Sequence, residues 1–142
     1  MSPICDLSIV MPAIPENESF LRAAVGAFCV RLNPAVEELA DVKTAVSEAV
    51  TNVVVHAYGQ GEGPVMLQAQ VRVDGVLWIE VRDIGCGIAD IEQAREPMFT
   101  TGNPELRAGM GFAVMESFMD RVEVVSAPGL GTSVRMEKRI KV

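Results

Sequence analysis

The sequence predicts a single two-layer α/β domain over residues 1–142, with helices on one face of a mixed, mostly antiparallel sheet. Apolar residues recur at helical spacing from Leu21 to Leu32 and again from Leu39 to Ala57. They then alternate with polar residues at a period of two from Val65 to Val81. With 142 residues, 49% of them hydrophobic and 22% charged, the chain has the size and composition of one globular domain.

The first half of the chain reads as one strand and two helices. Residues 4–11 are a short strand, and the polar stretch after Pro15 leads into a helix with one apolar stripe. Asn33 as cap and Pro34 in the first turn are expected to begin the second helix, which Gly59 ends. The apolar stripe of the first helix is Leu21, Val25, Phe28 and Leu32.

The second half reads as two strand pairs around a helix. Two alternating runs flank Asp74-Gly75, a sequence typical of a tight hairpin turn. Residues 112–119 have a helical pattern, and Val122, Val124, Val134 and Met136 predict a last strand pair around the PGLG turn.

Charge and hydropathy exclude several classes of protein. A net charge of -7 disfavours contact with nucleic acid, which requires clustered Lys and Arg. No apolar run approaches the ~20 residues that span a bilayer, and the N-terminus does not resemble a secretion signal, so we expect a cytoplasmic protein without a membrane partner. The three widely spaced cysteines favour neither a disulfide framework nor a zinc site.

The stretch SEAVTNVVVHAYG places Glu48, Asn52 and His56 four residues apart on the second helix. This spacing puts all three in one line, away from the apolar stripe. A carboxylate can accept a proton and an amide oxygen can bind Mg²⁺, although a solvated polar face would look the same. His56 by itself is more often a structural residue at a helix end than a catalyst.

The stretch VRDIGCGI places Asp83 at the end of a strand, followed by Gly85 and Gly87. Glycines let other groups approach the backbone closely, so this corner would suit a flat heterocycle with an amino group. A plain Asp-Gly turn is the simpler alternative.

A third stretch, residues 96–118, combines paired hydroxyls with a glycine-rich helix start. Glycines at a helix start free backbone N–H groups for an anion, and an arginine adds positive charge, so we expect a mobile phosphate-binding loop. An ordinary surface loop is the alternative. The residues concerned are Thr100, Thr101, Arg107, Gly109, Met110 and Gly111.

Taken in order, E-x-x-x-N, D-x-G-x-G, the threonine-rich G-x-G segment and the closing Gly131-Thr132 resemble the GHKL (Bergerat) ATPase fold. The stretches ENESFLRAAVGAF, VSEAVTN, HAYG, VRDIGCGI, EPMFTT and GMGFAVMESFMD narrow the resemblance to the anti-sigma factor serine kinases, in particular the anti-sigma F factors of spore-forming bacteria. That resemblance covers nearly the whole chain.

The resemblance implies ATP and Mg²⁺ as ligands. It makes Glu48 the general base for a serine hydroxyl, Asn52 the Mg²⁺ ligand and Asp83 the partner of the adenine amino group, with Thr132 close by. It implies that Gly85 and Gly87 admit the ring. The residues that it places over the phosphates are Thr100, Thr101, Arg107, Gly109, Met110 and Gly111. Related kinases often carry a basic residue after the paired threonines, where this chain has Gly102-Asn103.

The resemblance also implies the partners: a homodimer that holds a sporulation sigma factor of the sigma F type and phosphorylates a serine of its anti-anti-sigma antagonist. Arg22, beside the apolar stripe of the first helix, is the candidate partner contact, with a merely solvated charge as the alternative. Other functions remain open: a sigma-binding module without kinase activity, a stress-response kinase of the sigma B type, a histidine-kinase catalytic domain, or a gyrase-like or Hsp90-like ATPase fragment.

Overall fold

The computed structural model describes residues 3–59, 61–88 and 104–140, and for residues 3–5 and 104–110 it describes the backbone alone. The elements follow the predicted order: strand, two helices, two strands, helix, two strands. The strands are β1 (Pro3–Pro12), β2 (Pro64–Arg72), β3 (Val76–Asp83), β4 (Arg121–Ala127) and β5 (Gly131–Arg139). The helices are α1 (Pro15–Cys29), α2 (Val36–Asn52) and α3 (Pro104–Phe118).

The sheet has the strand order β1-β2-β3-β5-β4. All four pairings among these strands are antiparallel, in keeping with the mostly antiparallel sheet that the sequence predicted, and the described strands include no parallel pair. The two helices after β1 return the chain to the end where β1 finished, and Pro12 pairs with Pro64. The strand that follows must therefore run antiparallel to β1, and the tight turns fix antiparallel directions within the pairs β2–β3 and β4–β5.

Helices on one face of this sheet form the predicted second layer, and the core lies between the layers. The apolar stripe of α2 is buried, as predicted, because Val42, Val46 and Val50 are fully excluded from solvent. Alternate residues of the strands meet them, among them Leu67 and Ile79, which are also fully buried. The period-two pattern therefore identified the inner face of the sheet correctly.

The connection between α1 and α2 differs from the prediction. Asn33 does not cap α2; it adopts a left-handed conformation with φ 53 and ends the short 3₁₀ turn Val30–Leu32. The N-cap of α2 is Ala35, whose backbone N–H donates to the Glu38 carboxylate at 2.9 Å. Asn tolerates the left-handed conformation, so this residue suits a helix end as well as a helix start.

The described helices include none that is both long and apolar enough to cross a bilayer.

Candidate functional site

Glu48 and Asn52 lie one turn apart on α2, and both side chains are half-buried. They meet α3 at Gly111, which is buried. A Cβ atom at position 111 would lie 3.2 Å from Glu48 Oε2 and 3.3 Å from Asn52 Nδ2. The structure thus brings together three of the predicted site residues from two helices, with α3 close against the polar side chains of α2.

The side-chain amide of Asn52 is the unusual group in this cluster. Its Nδ2 atom is buried and has no hydrogen-bond partner among the described residues. A buried polar atom without a partner is costly, so native structures rarely keep one without a reason. A ligand with an acceptor atom would complete the hydrogen bonding of Asn52, and its Oδ1 would remain available for a cation.

The α-helical spacing that aligns Glu48 with Asn52 does not extend to His56. Residues Val53–Ala57 form a π-helical turn, in which the hydrogen bonding passes from i→i+4 to i→i+5. Residues four apart are therefore aligned along the helix from Glu48 to Asn52, and this alignment does not extend past Asn52. The apolar residues of this turn suit an α-helix equally well, so the sequence did not reveal it.

Asp83 ends β3 with its side chain buried, 7% exposed. One oxygen, Oδ1, accepts hydrogen bonds from the backbone N–H groups of Gly85 at 2.9 Å and Thr132 at 3.2 Å. Burial raises the pKa of the Asp83 carboxyl, and these two donors partly offset that rise. Its other oxygen, Oδ2, makes none of the hydrogen bonds found among the described residues, and it is free to accept from a ligand.

Glycine is required at positions 85 and 87 for a structural reason that the sequence did not reveal. A Cβ at Gly85 would lie 1.9 Å from the carbonyl oxygen of Ala57, and one at Gly87 would lie 2.0 Å from that of Ala127. These glycines let the chain's own backbone pass, and the Cys86 N–H donates to Ala57 O at 2.8 Å. Their predicted contact with a flat ligand stays a prediction.

Thr132 lies where the sequence predicted, beside Asp83, because the two residues pair across β3 and β5. Its hydroxyl is 2.8 Å from that of Ser126, the residue paired with it on β4. Ser126 was not among the predicted site residues. The sequence did contain a signal for Ser126, because the period-two pattern of β4 puts Ser126 on the same face as Val122 and Val124.

Tyr58 is a second residue near the candidate site that was not among the predicted site residues. Its hydroxyl donates to Pro64 O and accepts from the Ile84 N–H at 3.1 Å. Tyr58 therefore connects the end of the π-helical turn with two other segments, the start of β2 and the start of the loop after Asp83. Burial raises the pKa of Tyr58, so the neutral phenol persists.

The predicted phosphate loop is only partly described. Thr100 and Thr101 lie outside the described residues. Arg107, Gly109 and Met110 belong to α3, which begins at Pro104 and not at the predicted residue 112. The prediction of the helix start was wrong because it took Gly109 and Gly111 as the boundary, whereas a proline in the first turn also starts a helix well.

Arg22 lies on α1 with 43% of its side chain exposed, as the sequence analysis expected. Its Nε atom is 3.7 Å from Glu18 Oε1, an ion pair across one helical turn. A pair at this exposure contributes little to stability. The guanidinium remains accessible to a partner.

The fold and the site define a class of protein. A sheet with helices on one face, a Glu/Asn pair on one helix and a buried aspartate at a strand end fit the family model described as a histidine kinase-like ATPase domain, which matches residues 11–138. In known structures, the fold is similar to the RsbU and RsbW domains of Rv1364c from Mycobacterium tuberculosis, with a TM-score of 0.71 and 21% identity over 97% of this chain and 32% of that one.

Curated relatives narrow the class. The chain is 54% identical to the anti-sigma F factor of Caldanaerobacter subterraneus subsp. tengcongensis over 88% of this chain and 87% of the relative. It is 44% identical to the anti-sigma F factor of Bacillus subtilis (strain 168) over 95% of this chain and 92% of the relative. The chain therefore belongs to the anti-sigma F factor family of histidine kinase-like ATPase domains.

Proposed function

We propose that this protein binds Mg-ATP, holds a sigma factor of the sigma F type and phosphorylates a serine of its anti-anti-sigma antagonist. The observation that carries the proposal is the buried Asn52 amide, which has no partner among the described residues and lies one turn from the Glu48 carboxylate. The high identity to anti-sigma F factors supports the choice of sigma factor and antagonist as partners.

Each described residue has a separate task in this proposal. Glu48 accepts the proton of the attacking serine hydroxyl as general base. Asn52 donates from Nδ2 to a phosphate oxygen, and its Oδ1 holds the metal ion. Asp83 accepts a hydrogen bond from the adenine amino group through Oδ2. Bound Mg²⁺ would neutralise charge on the phosphates.

In this proposal, the residues of the predicted phosphate-binding loop contact the phosphates of the nucleotide. They are Thr100, Thr101, Arg107, Gly109, Met110 and Gly111. Of these, Gly111 is placed against Glu48 and Asn52 by the described structure. Binding and positioning supply most of what phosphoryl transfer requires, so a base, a metal ligand and donors from this loop suffice.

The test is to incubate the protein with Mg-ATP and the antagonist and to search by mass spectrometry for one added phosphate on a serine. Glu48→Gln should keep ATP affinity within about threefold and lower transfer by about 10²–10⁴-fold, since it removes the base alone. A Glu48→Gln variant that still transfers phosphate at the wild-type rate would refute this role. ATP binding with no transfer by the wild type would favour a sigma-binding module without kinase activity.

Partner contact at Arg22 and dimerisation complete the proposal. Arg22→Glu should weaken binding of the sigma factor, the antagonist or both, whereas Arg82→Glu, which reverses an exposed charge on the opposite face of the sheet, should not. Unchanged affinity of both complexes in Arg22→Glu would remove Arg22 from the interface. A homodimer should sediment at twice the protomer mass of 15.3 kDa.

A further inference from the structure

Three residues form a polar row across three neighbouring strands. Asp83 pairs with Thr132 between β3 and β5, and Thr132 pairs with Ser126 between β5 and β4. All three side chains lie on the sheet face that carries the helices, where polar residues are unexpected. The next two rows on the same face are apolar, and they consist of Val81, Val134 and Val124, then Ile79, Met136 and Val122.

The hydrogen bonds of Ser126 determine the direction of the proton in this row. Its Oγ accepts from the Ile88 N–H at 2.8 Å and donates to the carbonyl oxygen of Gly131 at 2.9 Å. A hydroxyl has one proton, and a carbonyl oxygen can only accept, so the bond to Gly131 uses the proton of Ser126. The 2.8 Å contact with Thr132 must then have Thr132 Oγ1 as the donor.

Thr132 is left with lone pairs for any further partner, because its proton is directed to Ser126. Asp83 likewise has only lone pairs left for a further partner. Its Oδ1 already accepts two backbone N–H groups, and Oδ2 of the ionised carboxylate can only accept. The open side of the row therefore presents acceptors and no donor.

We infer that Ser126 is a positioning residue that determines which bases the site accepts, by holding the Thr132 hydroxyl as an acceptor beside Asp83. This inference rests on the proposed function, since it assumes that the base of a nucleotide lies against the row. A base with an amino group donates to these acceptors. A base with a carbonyl oxygen at the same place meets lone pairs there and binds less tightly, because its own acceptor stays unpaired and only its neighbouring N1–H can donate to the row.

The experiment compares ATP with inosine triphosphate, which has a carbonyl in place of the adenine amino group and an N1–H in place of the adenine N1 lone pair. The ratio of the two dissociation constants is measured by calorimetry with Mg²⁺ on the full chain. The wild type should prefer ATP. In Ser126→Ala the Thr132 hydroxyl can rotate and donate to the carbonyl, so the preference should fall by about tenfold, and Ser126→Thr should restore it. Ser117→Ala, which removes a hydroxyl that donates to Ala113 O within α3, should leave the ratio unchanged.

An unchanged ratio in Ser126→Ala would overturn the inference, even if both affinities fell, because a merely structural role would affect both nucleotides alike. Equal wild-type affinities for the two nucleotides would overturn it as well. A wild type that binds neither nucleotide would instead refute the proposed function.

Thr132→Val provides an independent test in case Ser126→Ala does not fold. It removes the hydroxyl and keeps the backbone N–H that bonds Asp83. If Thr132 accepts from the amino group, ATP affinity should fall by a larger factor than inosine triphosphate affinity. The reverse pattern would identify Thr132 as a donor and overturn the inference.

Discussion

Asp83 combines two roles whose energetic requirements conflict. Its Oδ1 organises the loop after β3 and the start of β5 through two backbone N–H groups. Its burial disfavours the charged form and raises its pKa. A carboxylate kept in such a place despite the cost to folding is typical of a functional site.

The effect of the Asp83 charge on stability can be measured with the variant Asp83→Asn. The amide oxygen can still accept both N–H groups, but the ionisable group is gone. Because the folded pKa is raised, the contribution of Asp83 to stability is fully present below the unfolded value of 3.8 and is lost as the pH rises through the folded value. Asp83→Asn should therefore gain stability relative to the wild type over that window.

The measurement is urea unfolding of both proteins at about pH 4 and about pH 7, together with ATP titration at neutral pH. ATP affinity should fall by at least about tenfold, since an acceptor is replaced by a donor. A wild type that became more stable relative to Asp83→Asn as the pH rose would contradict the sign of the pKa shift.

Cys29 and Cys86 differ in their surroundings and should differ in reactivity. Cys29 is fully buried, and burial, with the charge of Glu38 as a smaller cause, raises its pKa to about 11. Cys86 is exposed. At about pH 8 only about one Cys29 in a thousand is a thiolate, so its alkylation should be at least about 100-fold slower than that of Cys86. Peptide mass mapping after timed iodoacetamide treatment measures both rates, and comparable rates would show that Cys29 is accessible.

The proposed site depends on the contact between helices α2 and α3. α3 can approach the Glu48 and Asn52 side chains closely because residue 111 is glycine. The π-helical turn after Asn52 plays a comparable part at the end of α2. It delivers the Ala57 carbonyl to the Cys86 N–H, a contact that only a glycine at position 85 permits.

Gly111→Ala should separate stability from binding. Alanine in a helix is favoured over glycine by about 1 kcal/mol, and the atoms near the new methyl group belong to side chains that can move. Stability should therefore stay constant or rise by up to about 1 kcal/mol. ATP affinity should fall by about tenfold, because the methyl group displaces Glu48 and Asn52 from their positions.

Gly26→Ala is the matched control for this variant, since Gly26 is also helical and faces only the flexible side chain of Lys43. It should gain stability in the same way and leave ATP affinity unchanged. Chemical denaturation and calorimetry on the three proteins give both quantities. If Gly111→Ala bound ATP as tightly as the wild type, the contact between α2 and α3 would not be part of the site.

The whole molecule has two faces of different character. The outer face of the sheet has a shallow depression of about 400 Å³, lined by Trp78, Glu80, Arg121, Glu123, Arg135 and Glu137. Each of these five charged residues is in an ion pair with another, such as Arg135 with Glu80 at 2.9 Å and with Glu123 at 3.2 Å. The polar row and the Asn52 amide, by contrast, keep hydrogen-bonding capacity for a ligand, and they lie on the helix side.

Ligand binding should therefore stabilise the whole fold, because the proposed site joins α2, α3 and three strands. Mg-ATP at about 100 times its dissociation constant should add about 2.7 kcal/mol to the free energy of unfolding, and it should raise the melting temperature by several degrees. Differential scanning calorimetry measures this shift. Asp83→Asn should show little shift at the same concentration, and an equal shift in both proteins would place the nucleotide elsewhere.

Much of this molecule could be predicted from local pattern. The period of the apolar residues identified the order of helices and strands, and the Asp74-Gly75 turn and the buried stripe of α2 followed from the same reasoning. Glu48, Asn52 and Asp83 were proposed as site residues from their chemistry and their order along the chain, and Thr132 from the family resemblance. These features depend on neighbouring residues, which the sequence displays directly.

The tertiary structure alone decided the rest, because it depends on contacts between distant segments. The sequence does not show that Gly85 makes way for the Ala57 carbonyl, or that Gly111 lies against Asn52. Nor does it show that Ser126 directs the proton of Thr132, since strand register brings these hydroxyls together. Local periodicity determines which elements form, and packing between them determines which polar groups are left for a ligand.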